Sequence, residues 1–95
     1  MKAKYRIIKR HHHFSNSDDF TVERKSWIGA WNRCVLDVSF SSGIYCRSSL
    51  SEAMNDLNRL IADEKAGFKP HCECWATRDS GYGYTAKEVV YQAFI

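Results

Sequence analysis

The chain has no long apolar run, little glycine or proline, and no catalytic signature, and each lack removes a class of protein. No unbroken apolar stretch exceeds three residues, so no segment has the length of a transmembrane helix. Lys2, Lys4, Arg6, Lys9 and Arg10 imitate the charged opening of a signal peptide, but no apolar core follows them. The expected location is therefore the cytoplasm. With one proline, five glycines, 44% hydrophobic and 26% charged residues, the composition is that of a globular domain. At 95 residues, a single domain over 1–95 is expected. Four cysteines, Cys34, Cys46, Cys72 and Cys74, fall short of a disulfide scaffold. In a reducing compartment they are expected to be free thiols, behaving as small buried hydrophobes.

Charge is distributed unevenly. Residues 1–48 carry nine Lys/Arg against four Asp/Glu, and residues 49–95 carry five against seven. A basic half and a mildly acidic half predict a dipolar surface. The formal net charge of +3 excludes a nucleic-acid mimic, which needs dense carboxylates.

The pattern begins with strands. Residues 4–10 alternate, with Tyr5 and Ile7 on one face and Ile8 on the other. The stretch His11–Asp19 is rich in turn formers and reads as a loop. Residues 20–27 alternate again, placing Phe20 and Val22 opposite Thr21, Glu23 and Lys25, so the two runs read as a long-loop hairpin. After a connection punctuated by Gly29 and Asn32, residues 34–40 set Cys34, Leu36, Val38 and Phe40 on one face. Ser41, Ser42 and Gly43 signal a turn, with a short strand expected at 44–46.

A helix is expected at about 50–65. Ser49 and Glu52 form a capping box, and Leu50, Ala53, Met54, Leu57, Leu60 and Ile61 make one apolar stripe. Lys65 suits the last turn and Gly67 a left-handed C-terminal cap. Residues 71–77 read as a strand after Pro70, and Asp79, Ser80 and Gly81 as a turn. At the end, Val89, Val90 and Tyr91 favour a strand, whereas Thr85 and Glu88 form a second capping box. Ala86, Val89, Val90, Ala93 and Phe94 also fall at helical spacing, and a short C-terminal helix is expected. The predicted class is α+β: a small antiparallel sheet of three to five strands, with the 50–65 helix packed on one face.

Three kinds of chemistry have candidate residues in the sequence. Zinc would draw on His11, His12, His13, His71, Cys72 and Cys74, but only a Cys-x-Cys pair is present where structural sites use wider knuckles, so no metal is expected. A Cys–His nucleophile would pair Cys72 with His71, yet neighbours on a strand point to opposite faces. Asp18 and Asp19 read as turn formers rather than paired acid–base groups. The protein is thus expected to be non-enzymatic and cofactor-free.

Binding remains. Trp31, Arg33, Arg78, Tyr82 and Tyr84 are the predicted partner anchors, because Trp, Tyr and Arg dominate interface energies. Lys4, Arg6, Lys9, Arg10, Arg24 and Lys25 form the predicted basic surface, suited to steering an acidic protein partner. The leading expectation is a regulator or inhibitor that occupies a partner protein's surface. The small size and lack of catalytic signature are in the style of phage and mobile-element accessory proteins, an analogy resting on no particular residue. The alternative is single-stranded RNA or DNA, held by those cations and by stacking on Trp27, Trp31, Tyr82 and Tyr84. The plainer reading of the same residues is a solvated face and a core rim.

Overall fold

A computed structural model describes residues 4–26, 28–39, 42–44, 46–73 and 84–94, with side chains described outside 37–39, 42–44, 73 and 84–87. The strands are β1 (Tyr5–His12), β2 (Ser17–Lys25), β3 (Trp31–Cys34), β4 (Asp37–Ser39), β5 (Ser42–Ile44), β6 (Cys72–Glu73) and β7 (Tyr84–Ala93), and the helix is α1 (Leu50–Lys65). Five strands form one antiparallel sheet in the order β6-β3-β2-β1-β7, and β4 and β5 pair separately as a small two-stranded sheet. The α+β expectation holds. No helix among the described residues is long and apolar enough to cross a membrane.

The spine is the β1–β2 hairpin. Tyr5 and Ile7 of β1 and Val22 of β2 are fully buried on the face that receives α1. The strands run further than turn-former composition implied, through His12 and from Ser17 onward. Cross-strand pairs explain the extension: Arg10 faces Asp19 and His11 faces Asp18 in register, and both pairs are hydrogen-bonded. The turn shrinks to residues 13–16, where Asn16 takes the left-handed conformation that a short amide side chain tolerates.

The helix matches its expected bounds. Ser49 Oγ accepts from the Glu52 backbone N–H at 3.3 Å. At the other end Phe68 N–H donates to Asp63 O and Gly67 N–H to Glu64 O, with Gly67 at positive φ, a complete Schellman motif. Ala53, Leu57 and Leu60 are buried against Cys34, Leu36 and Ala93, while Met54 and Ile61 flank them. Leu50, at the first turn of the predicted stripe, is exposed. Arg47, just before the helix, exchanges two backbone hydrogen bonds with Phe20 and grips Asp56 through its guanidinium at 2.6 and 3.3 Å. One residue thus ties β2 to α1.

Three expectations need correction. The run 34–40 is not one strand: β3 ends at Cys34, the chain leaves the ladder, and β4 begins at Asp37. Cys34 and Leu36 are nonetheless both buried, as the alternation required. The short strand expected at 44–46 is placed earlier, at Ser42–Ile44.

The C-terminal helix is the larger error, because residues 84–93 form β7 against β1. Ile7 pairs with Tyr91 but Ile8 with Val89, and His11 pairs with Ala86 but His12 with Tyr84. Val90 and Thr85 are therefore extra bulge residues. Each bulge breaks the two-residue alternation and leaves apolar spacings that imitate a helix. Of the run expected at 71–77, Cys72–Glu73 is strand, and Cys74 onward lies outside the described residues.

Candidate functional site

The N-terminal cations meet carboxylates inside the fold. Glu64, near the end of α1, accepts from Tyr5 Oη at 2.7 Å and Arg24 Nε at 2.7 Å, and also pairs with Lys4. Burial alone would favour its neutral form, but the hydrogen bonds from Arg24, Lys4 and Tyr5 outweigh it and hold Glu64 at about 2, against 4.5 ordinarily. Burial and the adjacent carboxylate push the Tyr5 phenol up. Glu64 was not singled out in the sequence, since its three partners lie on β1, β2 and the residue before β1.

On the face opposite α1, Arg6 Nε donates to Glu23 at 2.7 Å while its guanidinium lies 4.1 Å from the Trp31 ring centre. Lys25 Nζ stands 5.9 Å from the same ring. Lys9 lies 3.8 Å from Asp18, whose carboxyl is held below its usual range by the His11 hydrogen bond. Arg10 makes a two-pronged contact with Asp19 at 2.9 and 3.2 Å. Among the described residues, five of the six predicted surface cations, all but Lys25, are thus ion-paired.

Two members of the predicted site are not surface residues. Arg10 is 4% exposed and Arg33 only 7%. The fold buries both, which a linear reading of charge could not reveal. Trp31 is half-buried in β3 rather than in a connection. Tyr84 opens β7, and its side chain is not described; Arg78, Tyr82 and Trp27 lie outside the described residues.

The histidines stay apart. His11 bonds Asp18, His12 bonds Ser15, and the His13 ring packs 4.1 Å from that of Phe14, whereas His71 precedes β6 with β3 and β2 lying between it and β1. No three His, Cys, Asp or Glu side chains among the described residues are grouped to hold a metal.

A cleft of about 540 Å³ opens beside β3 and β6, lined by Arg24, Ser26, Asn32, Lys69, Pro70, His71 and Cys72. Cys72 Sγ lies 3.5 Å from Cys34 Sγ, which is fully buried. The hydrogen bond to Cys72, with burial, pushes the Cys34 thiol up, and the same bond draws Cys72 down. Of the pair, Cys72 ionises first, since it alone reaches the cleft and its cations. Comparison with protein families, curated proteins and solved structures finds no match to this chain.

Proposed function

We propose that this chain is a non-enzymatic protein-binding module, a regulator or inhibitor that occupies a partner's surface by pairing an extended segment of the partner with the outer edge of β7. One observation carries the reading. β7 is a ten-residue strand at the end of the sheet, no described strand pairs with its outer side, and Val89, Tyr91 and Phe94 are 41, 40 and 50% exposed. An edge of that length offers a row of backbone donors and acceptors, with apolar side chains to select the partner's sequence. The internal ion pairs redirect the reading away from the N-terminal cations, because a phosphate or an acidic partner must compete with carboxylates already bound.

The test is selection from a random peptide library, followed by amide shift mapping on the labelled protein. Selected peptides are expected to perturb the amides of 84–94, and Val89→Lys with Tyr91→Lys is expected to weaken them at least about tenfold, or about 1.4 kcal/mol. Binders that map instead to Trp31 and Lys25, or tight salt-dependent binding of single-stranded oligonucleotides without peptide binding, would overturn it in favour of the cation–aromatic face.

A further inference from the structure

Cys34 and Cys72 are direct partners across the β3–β6 pairing. Val35 N–H donates to His71 O at 3.0 Å, which makes Cys34 and Cys72 a non-hydrogen-bonded pair, the kind whose side chains come closest. The Cα spacing of such a pair, about 4.5 Å, lies inside the range that a disulfide spans. From 3.5 Å, the sulfurs need close by only about 1.5 Å to bond. Access is asymmetric: Cys34 sits in the core, whereas Cys72 lines the cleft beside Lys69, Arg24 and His71, and no carboxylate among the described residues lines that cleft. The nearby Glu64 carboxylate, itself paired with Arg24, opposes the lowering of the Cys72 thiol that Arg24 and Lys69 favour.

We propose that Cys34 and Cys72 are a redox-active dithiol that reacts with small disulfides bearing carboxylate groups, Cys72 attacking and Cys34 resolving. The Cys72 thiolate attacks one sulfur of the incoming disulfide, forming a mixed disulfide and expelling one small thiolate. Cys34 sulfur then attacks Cys72 Sγ, the protein disulfide forms, and the second small thiolate leaves with the proton that Cys34 gives up. Two protein sulfurs are oxidised, and one small disulfide is reduced to two thiols. The hydrogen bond between the sulfurs supports this division, because it lowers Cys72 towards the reactive thiolate while Cys34 keeps its proton until its acceptor is consumed. The inference is independent of the β7 edge.

The experiment exposes the reduced full chain to glutathione disulfide and maps its cysteines by mass spectrometry under non-reducing conditions. The expected product in the unaltered protein is a peptide pair linked through Cys34 and Cys72, with Cys46 still a thiol. Cys34→Ser is expected to accumulate one glutathione on Cys72, and Cys72→Ser to give neither product. Oxidation by the cationic disulfide cystamine is expected to be at least about fivefold slower at low salt, with the gap narrowing as salt rises. Since Cys34 lies in the core, where a substitution threatens folding, the linked pair in the unaltered protein is decisive by itself. Persistent glutathione on Cys72 there, or linkage through Cys46 or Cys74 in its place, overturns the dithiol; equal rates with cystamine overturn the preference for anions.

Discussion

The two edges of the sheet follow opposite plans. At one end the described part of β6 is Cys72–Glu73, Lys69 and Pro70 lie just before it, and Cys72 is turned to the buried Cys34. At the other end β7 is ten residues long, bulged in two places, and exposes Val89 and Tyr91. Lysine and proline are among the devices that keep an edge from recruiting another chain. The β6 edge has them and so can serve as a site of chemistry, whereas the β7 edge keeps its pairing capacity. On the two proposals made above, a single small sheet would keep reactivity at one edge and partner pairing at the other.

The contrast rests on a shared core, and the largest expected effect tests that. Leu57→Ala removes a fully buried side chain beneath β1 and β2 and is expected to cost about 2–5 kcal/mol in denaturant unfolding. Both edges should then lose hydrogen-exchange protection together; survival of β6 protection after loss of β7 would make them separate units. Next comes acid. Glu64 has a folded value of about 2, below its ordinary 4.5, so the stability it contributes is present above pH 4.5 and is lost as pH falls towards 2. Allowing for solvent screening, about 1–2 kcal/mol should disappear over that window, and Glu64→Gln should flatten the profile.

A smaller effect separates the cysteines. Burial pushes the Cys46 thiol up, whereas the Cys34 hydrogen bond draws Cys72 down. Iodoacetamide at neutral pH should therefore label Cys72 before Cys46, by about tenfold, although Cys46 is the more exposed residue. The smallest effect falls on β7. Val89→Lys with Tyr91→Lys should change stability by no more than about 0.5 kcal/mol per site, because both side chains face solvent. A larger loss would mean that β7 depends on those side chains for its own docking, and the difference between the edges would narrow.

What a linear reading could recover follows how local each cause is. The helix was legible to its ends because Ser49, Glu52 and Gly67 act within a turn of the backbone they cap. The β1–β2 spine was legible from its alternation, with Ile7 opposite Val22. The C-terminal strand was not, because its bulges at Thr85 and Val90 exist only relative to β1. Charge misled for the same reason: Lys4, Arg24 and Glu64 are neighbours only once α1 lies on the sheet. The contact of Cys34 with Cys72, separated by 38 positions, depends on a register that neither local sequence specifies. Arg33 and Arg10 could be recognised as cations, but not as buried ones.

The placement of β1 between β2 and β7 also sets an order of events. Tyr5 pairs with Arg24 across 19 positions, but with Ala93 across 88. A hairpin closes in about 1–10 μs, whereas pairing at long range must first overcome the entropy of a much larger loop. During that interval β1 is itself an outer strand, with the backbone groups that β7 later satisfies open to any neighbouring chain. Until β7 docks, Tyr5 and Ile7 lie on an unguarded strand, and nascent copies at high concentration are expected to be prone to association at that stage.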